Sequence, residues 1–180
     1  MSEVYLNHWF LVDMQKAKEA EKDARLENLP FNYWYKETAL EEALDASPVW
    51  VKVKSLDGHF PAIYSDCPIF CTQVEDQDFL RYVKSLILMK GPDGKGYLVR
   101  FYTPAYLHNW LSKIGQERIN LLLGPISSIK YFFNKTHNEI NNAQMSILTN
   151  KKDVAWFKIN KPEWEMLKKA YSARDNGYGN

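Results

Sequence analysis

Apolar and polar positions along this chain follow two periods, and the switches between them mark its elements. Val4 to Val12 is rich in aromatic and β-branched residues and predicts a first strand. From Gln15 the period lengthens. Met14, Ala17, Ala20 and Ala24 recur at helical spacing among Lys16, Lys18, Glu19, Glu21, Lys22 and Arg25, which predicts a helix with a narrow alanine face and a solvated charged face. Phe31 to Lys36 reads as a second strand entered through Pro30. Thr38 to Glu41 has the form of a capping box, predicting a helix that buries Leu40, Ala43 and Leu44 and ends at Ser47-Pro48. Val49 to Val53 is a short strand. Residues 57–75, with Gly58, Pro61, Pro68, Cys67 and Cys71, are the least regular stretch and predict a long loop or a weakly marked strand and turn.

Asp76 to Ser85 starts with acids and places Phe79, Val83 and Leu86 on one face, as a helix does. Leu86 to Met89 and Tyr97 to Tyr102 flank the turn Gly91-Pro-Asp-Gly-Lys-Gly96 and predict a β-hairpin. Thr103-Pro104 is a helix start, with a hydroxyl at the N-cap and proline in the first turn. The stripe Leu107, Trp110, Leu111 and Ile114 follows it, and Gly115 ends it. Gln116 to Leu123 is helical up to Gly124-Pro125. Ile129 to Phe133 and Val154 to Ile159 read as strands. Thr136 to Asn150, with its asparagines, reads as an exposed connection with some helix. Pro162 to Arg174 is an amphipathic helix, and Asp175 to Asn180 is expected to fray. The fold class is therefore α+β (mixed α/β): a sheet-containing N-terminal lobe with flanking helices, and a smaller, mostly helical C-terminal lobe.

Composition narrows the function classes. In 180 residues, 23 Lys and Arg face 22 Asp and Glu, a formal net charge of +1 that gives no broad attraction to nucleic acid or to an acidic membrane. No run approaches the roughly 20 apolar residues that span a bilayer. The first residues lack the basic region and small-residue cleavage site of a secretory signal. Two cysteines with three residues between them make neither a disulfide framework nor a structural zinc site, which points to reduced thiols in a cytoplasm. Residues with obvious chemistry are sparse. No phosphate loop, nucleophile elbow or metal signature occurs. His8, His59, His108 and His137 are scattered. Cys67 with His59 sketches a thiol and a base but lacks an orienting motif. No cofactor is expected.

The outstanding quantity is the aromatic content, 14%, with 6 Trp, 11 Tyr and 9 Phe. Phe31 to Tyr35 puts rings on both faces of one short strand. Either all of them are core under a layer of helices, or one face is covered by a partner. With the net charge near zero, any such partner would be held by apolar and stacking contacts that depend only weakly on salt.

The segment Gly96-Tyr-Leu-Val-Arg100-Phe-Tyr-Thr-Pro104, followed by a helix, resembles the adaptor domain of type VI secretion effector chaperones, the Tap or TEC proteins, in which a strand ends in Arg-Phe-Tyr-Asp-Pro. Three more segments match in order: Leu11-Val12-Asp13 closing the first strand, Leu44 to Val51, and Leu122-Leu123-Gly124-Pro125. The likeness covers about Val4 to Ile126. It departs at Thr103, where the family has Asp. A side-chain oxygen for the cap remains, but any charge pairing of that Asp with Arg100 is lost. The resemblance implies an adaptor-like α/β lobe over residues 1–126 and a mainly helical extension over 127–180 packed on it. It implies a cytoplasmic bacterial protein, not an enzyme and not itself secreted. Such a protein binds the N-terminal or middle region of an effector toxin and helps load it onto the VgrG spike protein. The expected partner-binding residues are Trp34, Tyr35, Tyr102 and Trp110 as aromatic anchors, with Arg100 as a polar or cation–π contributor. An immunity protein that neutralises a toxin is the alternative, and a Cys67-dependent enzyme a more remote one.

Overall fold

Six strands pair into one antiparallel sheet, from edge to edge Phe31–Tyr33 (β2), Val49–Val53 (β3), Asn7–Val12 (β1), Ile69–Thr72 (β4), Ile126–Phe133 (β7) and Thr136–Asn141 (β8). The computed structural model of the chain describes residues 5–54, 64, 66–146 and 152–177. A separate hairpin joins β5 (Leu88–Lys90) to β6 (Gly96–Leu98). The helices are α1 (Ala17–Leu26), α2 (Asp76–Lys84), α3 (Pro104–Asn109), α4 (Gln116–Leu123) and α5 (Lys161–Gly177). The class is α+β, as the alternation of periods predicts.

The sheet divides the interior into two apolar clusters, and β1 feeds both because successive side chains point to opposite faces. Phe10 and Val12 meet Val49, Val51 and Val53 of β3 on one face, where α1 lies through Ala17, Ala20 and Ala24. Alanine lets that helix approach closely. Trp9 and Leu11 point to the other face with Trp50 and Phe70, under α2, α3, α4 and α5. This second cluster consumes most of the rings. Trp9 stacks on Phe79 at 5.0 Å, and Trp50 meets Phe70 and Phe79 edge-on at 4.8 and 5.2 Å. Trp34 meets Trp50 and Tyr102 at 5.3 and 5.0 Å.

Besides the helix begun at Pro104, which breaks at Trp110 (φ −126°) before a 3₁₀ turn at Leu111–Lys113, four segments depart from the sequence-based expectation. The capping box at Thr38 does not form: its Oγ1 donates to Tyr35 O and accepts from Leu40 N–H, closing a local turn that leaves nothing for Glu41. A short 3₁₀ helix, Glu41–Ala46, follows with none of its residues buried, and only Leu40 packs on the core. β2 stops at Tyr33, and Trp34 and Tyr35 turn into the core. Residues 154–159 form no full strand. Lys90 N–H donates to Phe157 O at 2.9 Å and Ile159 N–H to Lys90 O at 2.8 Å, a single bridge with Ala155 at φ 52° just before it.

The fourth is β8, expected as an exposed connection with some helix. A two-residue turn, Asn134 and Lys135 at φ 51° and 61°, folds it back onto β7. Ile140 is its one buried side chain, so the apolar alternation that marks a strand is almost absent. Residues 127–180 thus supply two strands of the main sheet as well as α5. Of the irregular stretch 57–75, residues 66–75 hold β4, while 57–63 and 65, with His59, lie outside the described residues, as do 147–150 and the last three residues of the end expected to fray.

Helix α5 is fixed to the N-terminal part at its own start. Asn160 and Glu163 form a reciprocal cap: Glu163 N–H donates to Asn160 Oδ1 and Asn160 N–H to Glu163 Oε2, each at 2.9 Å. The same carboxylate accepts from Arg118 Nε at 2.6 Å and Nη2 at 3.0 Å. Trp110 Nε1 donates to Glu163 O at 3.0 Å.

Candidate functional site

The hairpin strand β6 runs out through Val99 into Arg100, and the chain then turns at Phe101 and Tyr102 to enter α3 at Pro104. That turn is anchored from below, because Phe101 and Tyr102 are buried in the ring cluster. Arg100 is left at the surface end of the anchor with about a quarter of its side chain exposed. Its Nη2 lies 3.5 Å from Asp13 Oδ1 and 3.7 Å from Met14 Sδ, both just past the end of β1. Asp13 thus supplies the carboxylate that Thr103 does not. Burial pulls the Arg100 pKa down, and the neighbouring Tyr102, Asp13 and Tyr35 more than reverse this, so the guanidinium stays charged.

Burial raises the pKa of both phenols, and the adjacent Arg100 charge opposes that rise. No hydrogen bond of ordinary geometry reaches the Tyr102 hydroxyl or Thr103 Oγ1, although both atoms are buried. Thr103 holds the N-cap position of α3, but its hydroxyl makes no cap bond, contrary to the cap its sequence predicts.

Beside this group lies a cleft of about 550 Å³. Leu11, Cys67, Pro104, Phe133 and Ala170 give it an apolar lining drawn from both ends of the chain. Asp13, Lys16 and Asp66 stand at its rim, with Lys16 Nζ 3.9 Å from Asp66 Oδ1. Arg100, outside the lining, pairs with Asp13, and Lys16 with Asp66, so each carboxylate at the cleft has a cationic partner and the net attraction for a strongly charged ligand is small. Its chemistry suits an uncharged segment with bulky apolar side chains.

Of the five residues expected to bind a partner, Arg100 reaches the surface and the four aromatic ones do not. Trp34, Tyr35, Tyr102 and Trp110 are core residues, each at most 3% exposed. Trp34 Nε1 donates to Val83 O at 2.9 Å, and the amide of Tyr35 donates to Ser47 Oγ at 3.0 Å. As folded, these four do not present rings to a partner. The physical reason is their double use: each ring fills the space between sheet and helices, and each indole finds a backbone carbonyl. Trp34, Tyr35, Arg100 and Tyr102 do converge on one site, where Arg100 alone reaches the surface. Trp110 lies elsewhere, under the start of α5. The cleft residues Asp13, Phe133 and Ala170 carry no local signature. Of these only Asp13 belongs to a motif-like segment, the end of the first strand.

Cys67 lines the cleft, but its thiol is pushed up to about 12, by burial first and by Asp66 and Asp13 after it, with Lys16 opposing. A thiol so held is protonated at neutral pH and is a poor nucleophile. His108 stacks on Phe133 at 4.5 Å and its Nδ1 lies 3.3 Å from the Tyr131 hydroxyl, a packing role. Among the described residues no group of His, Cys, Asp and Glu could hold a metal ion, and no helix is long and apolar enough to cross a membrane.

A family model described as Domain of unknown function (DUF4123) matches residues 8–120. This span runs from β1 into α4 and includes Asp13, Cys67 and Arg100 to Ala105. No curated protein and no solved structure matches.

Proposed function

We propose that this chain, which belongs to the DUF4123 family, is a non-enzymatic adaptor-chaperone of a bacterial cytoplasm. It binds the N-terminal or middle region of a type VI secretion effector toxin and helps load it onto the VgrG spike protein. One observation carries the reading. The end of the segment on which the resemblance to effector chaperones rests, Tyr102 to Pro104, lines a largely apolar cleft, and Arg100 of the same segment pairs with Asp13, another lining residue. The aromatic anchors invoked at first are replaced by this cleft as the surface offered to an effector. The raised Cys67 thiol weighs against thiol catalysis at the same place.

A candidate effector toxin from a neighbouring gene, split into its N-terminal region and its toxic domain, tests the reading. Co-purification with the N-terminal region is expected, reduced at least tenfold by Ala105→Glu in the cleft wall and unchanged by Leu26→Glu on the exposed face of α1. Binding to the toxic domain alone identifies an immunity protein instead. A toxin equally soluble and equally delivered without this chain ends the adaptor reading.

A further inference from the structure

The outer edge of β8 is free among the described residues, and its register decides which groups it offers. Asn142 N–H donates to Ser127 O at 2.9 Å, one of the bonds of a directly opposed pair. Antiparallel strands alternate bonded and non-bonded pairs, so Phe133 with Thr136, Tyr131 with Asn138 and Ile129 with Ile140 are bonded pairs as well. His137, Glu139 and Asn141 therefore turn their amide and carbonyl groups outward. Asn141 O already accepts from Gln116 Nε2 at 2.8 Å. The free window is His137 and Glu139.

We propose that this window pairs with the same window of a second copy of the chain, joining two sheets across β8 in a weak symmetric dimer. Only residues with outward groups can bond each other, which leaves three symmetric registers. Opposing Glu139 to the partner's Glu139 juxtaposes two carboxylates. It also sets His137 against an Asn141 whose carbonyl is taken. Opposing His137 to the partner's His137 sets Glu139 against Lys135 in the left-handed turn, which presents no strand edge. The remaining register opposes His137 to the partner's Glu139, and Glu139 to the partner's His137. It makes four main-chain hydrogen bonds and sets each imidazole against a carboxylate.

The outer faces agree with this register. His137 packs on Phe132 at 5.1 Å between ring centroids, and Glu139 lies opposite Lys130 within the same sheet. In the dimer each Glu139 sits between its own Lys130 and the partner's His137. Asn138, on the opposite face, meets its own copy across the symmetry axis, amide to amide. Edges this short bury far less than the roughly 1,200 Å² of a stable interface, so the association is one of high concentration. It does not depend on the adaptor reading.

Sedimentation equilibrium of the full chain from roughly 10 µM to roughly 1 mM tests it. A mass rising towards the dimer is expected. Glu139→Pro removes one outward amide hydrogen and no bond to β7, and an edge strand accepts it; this variant should remain a folded monomer. Glu139→Lys, which removes the carboxylate facing the partner's imidazole and sets a second ammonium beside Lys130, should weaken the dimer roughly tenfold. The double variant His137→Glu with Glu139→His restores complementarity and should recover it. A wild-type chain that is monomeric throughout, or a Glu139→Pro or Glu139→Lys chain that dimerises as well as wild type, overturns the proposal. So does a monomeric wild type that loses effector binding on Glu139→Pro, which would assign the edge to a foreign strand.

Discussion

Arg118 Nε lies 2.6 Å from Glu163 Oε1, an ion pair that ties the end of the family-matched region to the start of α5. Glu163 is 3% exposed and also caps its own helix. The carboxylate therefore serves two structures at once, and its removal takes from the guanidinium, which lies over the Phe157 ring at 4.6 Å, its charged partner and leaves it the Lys158 carbonyl. Glu163→Ala is expected to lower unfolding free energy by about 2–4 kcal/mol in urea titration, combining a lost buried partner with a lost cap. Glu163→Gln keeps the cap geometry and should cost about half as much. A loss under about 0.5 kcal/mol for Glu163→Ala would show that α5 does not depend on this pair.

Lys135 at φ 61° follows Asn134 at φ 51° in the turn joining β7 to β8. Both central residues of such a turn need the left-handed region, which asparagine tolerates and lysine does not favour. Lys135→Gly should stabilise the protein by about 1 kcal/mol, read as an upward shift of the melting temperature with an unchanged circular dichroism spectrum. Because the turn sets the register of β8, the same variant should leave the His137 and Glu139 edge in place.

This turn also shows what the sequence reveals and what it hides. Strands buried on both faces, such as β1 and β3, announce themselves by composition, and α1 by its alanine spacing. β8 is half solvated with one buried side chain, so nothing in its pattern separates it from a loop. The cleft is harder still. Leu11, Cys67, Phe133 and Ala170 meet only through tertiary packing, and no local spacing connects them. Arg100 was legible as the charged residue of a ring-rich segment. The exposure of its neighbours was not, because an aromatic that fills a core and one that binds a partner look alike in sequence. Counting rings against chain length overestimated the surplus, since four of the six tryptophans are wholly enclosed.

Cys67 supplies a pH-dependent test. Its thiol, ordinarily near 9, is pushed up to about 12, chiefly by burial. The unfolded chain therefore releases this proton first as pH rises, and the folded state binds it more tightly across that interval. The stability linked to it is full below the unfolded pKa and is lost between about pH 9 and about 12. Cys67→Ala should flatten this part of the pH–stability curve relative to wild type. Alkylation by iodoacetamide at neutral pH should also be slower at Cys67 than in the urea-unfolded chain. Rapid modification of the folded protein would contradict the assigned environment.

Thr103 gives the sharpest contrast between residue type and role. It precedes Pro104 at the start of α3, where a threonine hydroxyl ordinarily accepts from a helix amide, and replacing such a cap costs about 1 kcal/mol. Here the hydroxyl makes no cap bond and is buried without a partner. Thr103→Val removes an unsatisfied polar group and keeps the side-chain shape, so it should raise stability by about 1 kcal/mol, where a working cap would lose that amount. Thr103→Asp, the residue at this position in the resembled adaptors, places a second carboxylate in the neighbourhood of Arg100, which Asp13 already approaches at 3.5 Å. If Arg100 and Asp13 compensate for the missing Asp, the double variant Thr103→Asp with Asp13→Asn should be more stable than Asp13→Asn alone. Purely additive unfolding free energies across that cycle would show that the two carboxylates do not share the guanidinium.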